Sequence, residues 1–126
     1  MCGCEQVSFD APAAQVYEWK DSLTDAVGWV VLHSIANQVS GGGIFMHGNA
    51  SLQETCDIAR NMAAKFTVCA PQIGGAKAGI RFNHRDPRAT GVLRRFIVAH
   101  RLLLANSWVG ASAPSAHLCV LLCFPF

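Results

Sequence analysis

The sequence predicts a single α/β domain in which a mixed sheet is flanked by helices. The chain has 126 residues, a length that accommodates one domain, and it is 52% hydrophobic and 14% charged, which is typical of a globular protein. Short apolar runs rich in β-branched residues alternate with segments of helical periodicity, in the order strand, strand, helix, strand, helix. That order predicts helices packed against a sheet.

The first part of the sheet is predicted to lie before residue 50. Residues 1–26 are polar and are expected to be irregular, except that residues 16–20 alternate weakly and could form an edge strand. Residues 27–35 are a β-branched apolar run and predict a buried strand. Residues 37–43, NQVSGGG, predict a glycine-rich loop, and residues 44–47 predict a strand before a turn at Gly48 and Asn49.

A helix is predicted to begin at the capping box Ser51-Leu52-Gln53-Glu54. The Ser51 hydroxyl can accept from the Glu54 amide, while the Glu54 carboxylate reaches back to the Ser51 amide. Apolar residues at spacings of three and four define one buried face and place Lys65 in the last turn, where its charge would favour the helix dipole. The face consists of Leu52, Cys56, Ala59, Met62, Ala63 and Phe66.

A strand over residues 76–82 and a second helix are predicted to follow. Asp86 and Pro87 predict the helix start, because Asp86 can cap it and Pro87 suits the first helical position, where its missing amide costs little. We expect His100, on the apolar face of this helix, to be a packed core residue rather than a ligand. The predicted buried face comprises Leu93, Phe96, Ile97, His100 and Leu104.

Charge, hydropathy and cysteine content exclude several classes of function. A net charge of +2 without a basic run predicts no nucleic-acid binding. No apolar run is long enough to cross a bilayer and no signal peptide is present, so we expect a cytoplasmic protein whose six cysteines are reduced, without membrane partners. Cys2 and Cys4 have no matching Cys/His pair at a convincing spacing, so no metal site is predicted.

The stretch over residues 65–80, KFTVCAPQIGGAKAGI, carries the candidate chemistry. Gly74 and Gly75 let the backbone approach a ligand closely, and Lys77 follows at once. A lysine partly withdrawn from water beside a second cation, here Lys65, has a lowered pKa and suits acid–base chemistry on a small anionic substrate. The alternative is a turn between a helix and a strand that carries two solvated lysines.

Residues 28–109 resemble the amino-terminal domain of the glutamate/leucine/phenylalanine/valine dehydrogenases. The matching segments are VVLHSIANQVSGGG, ARNMAAKFTV, PQIGGAKAGI and DPRATGVLRRF. The most specific feature is the twelve-residue step from Lys65 to Lys77, with Pro-x-x-Gly-Gly-x-Lys before the second lysine. The resemblance implies the substrate-binding and dimerisation domain of an enzyme that reversibly deaminates an L-amino acid to its 2-oxo acid with NAD or NADP.

The resemblance also implies roles for individual residues. Lys65 would bind the substrate α-carboxylate, and Lys77 would be the catalytic lysine that assists attack of water on the imine. Gly42 and Gly43 would let the backbone approach the carboxylate. Glutamate-specific members carry a lysine where this sequence has Gly41, which argues against glutamate as the substrate. The resemblance also leads us to expect a homo-oligomer.

Two departures from the family pattern lead to further expectations. No Asp or Glu follows Asp86, although the family's catalytic aspartate would fall near Ala113, and no G-x-G-x-x-G fingerprint is present. We therefore expect a domain over residues 27–109 that is not accompanied by the Rossmann domain. This chain alone is expected to bind no cofactor. An atypical apolar tail over residues 110–126 would then result from an interrupted reading frame. The alternative is a short homologue with a diverged C-terminus.

Two functions remain open from the sequence. The first is a truncated amino-acid dehydrogenase, inactive alone, whose partners are small-molecule amino acids and 2-oxo acids. The second is a non-catalytic module of the same fold that binds a carboxylate or assembles with a full-length subunit. Nucleotide phosphate binding is disfavoured, because the glycine clusters lack the spacing that opens a helix at a phosphate.

Overall fold

A mixed sheet with helices packed on it forms the fold, as the sequence predicts. The computed structural model describes residues 5–6, 15–33, 40–69, 73–106 and 108–110. The strands are β1 (Glu5–Gln6), β2 (Gln15–Lys20), β3 (Val27–Leu32), β4 (Ser40–Gly42), β5 (Ile44–His47), β6 (Gly74–Arg81) and β7 (Trp108–Gly110). The helices are α1 (Leu52–Cys69), α2 (Ala89–Ala99) and α3 (Arg101–Asn106).

Strand β6 is the centre of the sheet, whose order is β1-β2-β3-β6-β4-β7 with β5 also paired to β6. It runs antiparallel to β3 and parallel to β4 and β5. Strands β4 and β5 follow β6 in one register, because Gly41 lies opposite Gly75 and Ile44 lies opposite Ala78. The two short strands therefore act as one extended segment along β6.

The two faces of β6 pack against different helices, since successive side chains of a strand point to opposite faces. Ala76, Ala78 and Ile80 belong to the larger core cluster, which includes Leu93 and Phe96 of α2. The residues between them face α1. A Cβ at Gly75 would lie 2.5 Å from Ala63 Cα, so the missing side chain lets α1 pack directly on the strand.

The first half of the chain departs from prediction at two places. Residues 16–20 lie in a strand as predicted, but β2 is not an edge strand because β1 pairs with its outer side. The predicted loop over residues 37–43 is wrong at Ser40–Gly42, which form β4 between β6 and β7. The predicted strand over residues 27–35 is confirmed as far as Leu32. Residues 34–39 lie outside the described residues.

Helix α1 begins as predicted but ends later. The Ser51 hydroxyl accepts from the Glu54 amide at 3.1 Å. The reciprocal half of the capping box is wrong, because the Glu54 carboxylate lies 3.0 Å from His47 Nε2 instead. Lys65 is not in the last turn, since the helix continues to Cys69. The sequence has no residue that strongly disfavours helix between Lys65 and Pro71. A proline restricts the backbone of the residue before it, so Pro71 does not prevent helix as far as Cys69.

Helix α2 begins two residues later than predicted. Instead of capping the helix, the Asp86 carboxylate accepts from the Arg88 amide at 2.8 Å and from its guanidinium, so a turn precedes α2. The helix begins at Ala89. Leu93 and Phe96 are buried as predicted. The side chain of Leu104 lies outside the described residues.

His100 ends α2 and is a core residue, as expected. Its side chain is 1% exposed, its Nδ1 lies 2.7 Å from the Phe96 carbonyl oxygen, and its ring centroid lies 4.3 Å from that of Phe96. Burial lowers the pKa of the His100 imidazole. One ring nitrogen of His100 thus forms a hydrogen bond within its own helix, and the ring packs against Phe96 at the junction of α2 and α3.

An ion pair joins the turn after β2 to α2. The Asp21 side chain is fully buried and accepts from Arg95 Nε at 2.6 Å and from Arg95 Nη2 at 2.8 Å. Thr24 Oγ1 donates a third hydrogen bond at 2.6 Å. The Arg95 guanidinium is the main reason that the pKa of Asp21 falls to about 2. This pair fixes α2 beneath the β2–β3 hairpin.

The predicted division at residues 26 and 110 stays a prediction. Trp108–Gly110 form β7 and pair with β4. Residues 111–126, including Cys119 and Cys123, lie outside the described residues, as do Cys2 and Cys4.

Candidate functional site

Lys77 lies in the middle of β6, on the face that packs against α1. Val31 of β3 lies opposite it, and on the other side the Phe45 ring of β5 approaches its ammonium, with Nζ 5.9 Å from the ring centroid. The side chain is half-buried, and burial lowers the pKa of Lys77. The predicted direction of this pKa shift is confirmed. Its cause is desolvation, and the expected contribution of Lys65 as a neighbouring cation is not found. A partly buried cation attracts a small anion, because a low local dielectric strengthens the interaction between the two charges.

The Gly42-Gly43 pair runs alongside Ala76 and Lys77. The Gly43 carbonyl accepts from the Ala78 amide at 3.0 Å. A Cβ at Gly42 would overlap the Ala76 carbonyl oxygen, so this position needs glycine for the packing of the sheet itself. The structure therefore brings three of the four predicted site residues together, because Gly42 at the end of β4 and Gly43 in the link to β5 lie beside Lys77 of β6.

Lys65 lies on α1 rather than on the sheet. Its side chain is exposed, and its carbonyl accepts from the thiol of Cys69 at 3.2 Å. Helix α1 packs on β6 through Ala63 and Gly75, which places Lys65 on the element that covers the Lys77 face. Its contact with a carboxylate stays a prediction.

The surroundings of Gly41 are apolar. A Cβ at this position would lie 3.2 Å from the Phe66 ring and 3.2 Å from Ile73 Cγ2. A lysine here would have to displace Phe66 or place its ammonium against hydrocarbon, which costs free energy without a partner.

The family model of the Glu/Leu/Phe/Val dehydrogenase dimerisation domain matches residues 13–111. The chain belongs to this family. A search of curated proteins found no match. The family assignment rests on more than three quarters of the chain and agrees with the segments that carried the resemblance.

Solved structures of amino-acid dehydrogenases share the fold. The hetero-hexameric glutamate dehydrogenase from Thermus thermophilus in its Leu-bound form is 26% identical, with a TM-score of 0.56 over 66% of this chain and 21% of that chain. The glutamate dehydrogenase from Peptoniphilus asaccharolyticus is 24% identical, with a TM-score of 0.60 over 74% and 25% of the two chains. L-tryptophan dehydrogenase from Nostoc punctiforme is 19% identical, with a TM-score of 0.57 over 68% and 28%.

The matched region spans about a quarter of the length of these dehydrogenases. The likenesses below 25% identity bear on the fold alone. The family assignment therefore identifies this chain with the amino-terminal, dimerisation part of a dehydrogenase.

The sequence reasoning missed His33, which follows β3 directly. Both of its ring nitrogens are buried, and neither has a hydrogen-bond partner among the described residues. Its backbone amide donates to the Gly75 carbonyl at 2.8 Å, so the residue still follows the β3–β6 pairing. The alternation of side chains along a strand predicts that His33 lies on the same face as Val31. That this face also carries Lys77 follows only from the pairing of β3 with β6 in the structure.

The sequence reasoning also missed the contacts of His47. Its Nε2 lies 3.0 Å and 3.2 Å from the two carboxylate oxygens of Glu54, and its ring stacks on Phe45 at a centroid distance of 5.5 Å. The pair is partly exposed, with 38% and 39% of the two side chains accessible. It supports the outer side of Phe45, whose ring also approaches Lys77.

The described residues do not fit the nicotinamide cofactor of the family. Gly41 and Gly42 lie within β4, and Gly74 and Gly75 begin β6. Neither cluster opens a helix N-terminus, which is where a dinucleotide pyrophosphate binds in a Rossmann unit. This part of the chain thus supplies no dinucleotide site.

Two further classes of site are absent from the described part of the chain. No three His, Cys, Asp or Glu side chains there are grouped so that they could hold a metal ion. None of the helices described is both long and apolar enough to cross a membrane.

Proposed function

We propose that this chain provides the substrate-binding and dimerisation domain of an NAD(P)-dependent amino-acid dehydrogenase. The reaction converts an L-amino acid, water and NAD(P)⁺ into a 2-oxo acid, ammonia and NAD(P)H. The observation that carries the proposal is Lys77, a half-buried cation with a lowered pKa beside Phe45. It is the last residue of the family motif Pro-x-x-Gly-Gly-x-Lys, whose glycines begin β6.

The two lysines have different roles in this proposal. Lys77 is the catalytic lysine, because a partly desolvated ammonium with a lowered pKa can polarise a carbonyl oxygen and gives up its proton more readily than a solvated lysine. Lys65 binds the α-carboxylate as an exposed side chain on α1, the helix that covers the Lys77 face. Gly42 and Gly43 lie beside Lys77 and carry no side chains, and the family resemblance places their backbone near the carboxylate.

An apolar or small polar amino acid is the proposed substrate. The Gly41 position, which carries a lysine in glutamate-specific members, is enclosed here by Phe66 and Ile73. A side-chain carboxylate would find no cation at this place, whereas a branched aliphatic side chain would contact hydrocarbon. The apolar surroundings of Gly41 support the proposal that glutamate is disfavoured.

Reconstitution tests this function with the full chain. The chain is mixed with a separately expressed cofactor-binding domain of a family member, and formation of NAD(P)H is followed with leucine, phenylalanine, valine and glutamate. We expect activity with an apolar substrate, and loss of that activity in Lys77→Met. Lys20→Met is the matched control, because that side chain is 77% exposed on β2.

The outcomes separate the two candidate functions. Assembly with the cofactor domain and binding of a 2-oxo acid without formation of NAD(P)H would favour a non-catalytic module. Absence of any amino-acid or 2-oxo-acid binding in calorimetry would overturn the proposal. A clear preference for glutamate would refute only the substrate assignment, and size-exclusion chromatography of the chain alone tests the expected homo-oligomer.

A further inference from the structure

The aromatic ring of Phe45 lies over β6 because the residue opposite it has no side chain. Phe45 pairs with Gly79, and a Cβ at Gly79 would lie 2.7 Å from Phe45 Cζ and 2.5 Å from Thr55 Oγ1 of α1. Any larger residue at position 79 would push the ring or the threonine away. Gly79 therefore provides the space for the ring on the α1 face of β6.

The ring of Phe45 is also supported on its outer side. The His47 ring stacks on it with a centroid distance of 5.5 Å and an interplanar angle of 28°. His47 Nε2 in turn lies 3.0 Å from a carboxylate oxygen of Glu54, in the first turn of α1. Contacts with β6, with His47 and, through His47, with α1 thus restrict the movement of the Phe45 ring.

Lys77 lies next to this ring. Lys77 and Gly79 are two residues apart on β6, so they share one face of the strand. The Lys77 ammonium lies 5.9 Å from the centroid of the Phe45 ring, on the β5 side of β6. Among the residues that the structure describes, no hydrogen bond or ion pair holds this ammonium. The ring face is thus the electrostatic contact that this part of the structure gives to it.

An aromatic ring is a suitable support for a cation that has to bind a substrate. The negative face of the ring attracts an ammonium, but the ring carries no charge that would neutralise it. A carboxylate in the same place would pair with the ammonium and weaken its attraction for an anionic ligand. Phe45 can thus order the long side chain of Lys77 and leave its N–H donors available to a ligand oxygen.

We propose that Phe45 is a positioning residue for Lys77, whose ring holds the ammonium on the β5 side of β6 before the substrate binds. This inference rests on the proposed function, in which Lys77 is the catalytic lysine. If a lysine side chain is ordered before the ligand arrives, the complex does not bear the free-energy cost of ordering it. Loss of the ring should therefore weaken binding although Lys77 itself is unchanged.

Nuclear magnetic resonance of the full chain tests the contact directly. The chain has three lysines, Lys20, Lys65 and Lys77, so the Cε–Hε signals of ¹³C-labelled lysine are few, and Lys77→Met assigns those of Lys77. Protons above the face of an aromatic ring are shifted upfield. We expect the Lys77 signals to lie upfield of their position in the urea-unfolded chain. They should return towards that position in Phe45→Leu, which keeps an apolar side chain without a ring.

Affinity provides the second measurement. Calorimetry with the 2-oxo acid of leucine should give a dissociation constant about three- to tenfold higher in Phe45→Leu, which corresponds to the cost of ordering one long side chain on binding. Phe82→Leu is the matched control. The Phe82 ring also carries a cation, with Arg88 Cζ 5.4 Å from its centroid, but it belongs to the core cluster on the other face of the sheet. This control should change neither the Lys77 signals nor the affinity.

The outcomes separate this inference from the proposed function. A purely structural Phe45 would affect stability alone, so wild-type affinity or unchanged Lys77 signals in folded Phe45→Leu would show that the inference is wrong. The proposed function then stands, provided that Lys77→Met abolishes binding. If Lys77→Met binds the 2-oxo acid as tightly as the wild type, or the wild type does not bind it, both fail.

A second variant covers the case in which Phe45→Leu does not fold. Phe45→Met also lacks the ring, and its flexible side chain fills irregular space, so its signals and affinity are interpreted in the same way. The wild type alone also tests the inference, because Lys77 signals at their unfolded position would show that no ring lies beside the ammonium and would overturn it.

Discussion

Asp21→Asn should lower the free energy of unfolding by about 1–2 kcal/mol at pH 7. The fall in the pKa of Asp21 from 3.8 to about 2 corresponds to about 2.4 kcal/mol of preferential stabilisation of the carboxylate in the folded protein. The partner guanidinium is 31% exposed, so water screens the pair and reduces this value. The substitution retains the shape of the side chain and removes its charge.

The effect should depend on pH in a defined window. Because the folded-state pKa lies below the ordinary value, the stabilisation is fully present above pH 3.8 and is lost as the pH falls towards about 2. From these two pKa values, roughly half of the stabilisation by the carboxylate should be lost by pH 3. The stabilities of the wild type and Asp21→Asn should therefore converge on acidification.

Urea denaturation followed by circular dichroism at pH 7 and pH 3 measures both effects. Asp57→Asn is the control, since Asp57 is half-exposed and 3.7 Å from Arg60, and its loss should cost less than about 0.5 kcal/mol. A double-mutant cycle with Arg95→Met isolates the pair and should give a coupling of about 1 kcal/mol or more. A coupling near zero, or an equal effect of Asp21→Asn at both pH values, would refute the reasoning.

Three further substitutions test the site and its supports. Lys77→Met should abolish binding of 2-oxo acids in calorimetry, and unchanged binding would exclude Lys77 from the site. The same substitution should raise the free energy of unfolding at pH 7 by about 0.5 kcal/mol, because it removes a desolvated charge. Gly75→Ala should destabilise the protein by about 1–3 kcal/mol in urea denaturation, because its Cβ would lie 2.6 Å from Ala63 Cβ. The control Gly48→Ala should not destabilise it, because its Cβ would meet no atom within 4 Å, and equal effects of the two substitutions would contradict this packing. Ser51→Ala should cost about 1 kcal/mol by thermal denaturation through loss of the helix cap, and no change would show that the cap contributes little.

The elements with strong local signals were predictable from the sequence. The apolar run of β3 and the capping serine of α1 both produced the expected structure, because each depends on residues adjacent in the chain. The segment Ser40–Gly42 was not predictable as a strand. Three small residues carry little intrinsic preference for a strand, and β4 forms because β6 and β7 pair with its two sides.

The site was predictable in its residue types but not in its surroundings. Lys77 stood out through the glycines before it, and its lowered pKa follows from burial that the motif suggested. His33 and Phe45 were not predictable as its neighbours, since β3 and β5 join β6 from distant parts of the chain. The contact of Glu54 with His47, which replaces half of a capping box, likewise depends on how α1 sits on the sheet.

The central position of β6 has a consequence for synthesis of the protein. Strands β3, β4 and β5 leave the ribosome before the strand that joins them exists. At about 5–20 residues per second, pairing partners such as Gly41 and Gly75 emerge seconds apart, and the apolar β3 has an unpaired edge during that time. Nascent chains arrested before Gly74 has emerged should therefore be cut readily by protease, and chains with β6 outside the exit tunnel should become resistant.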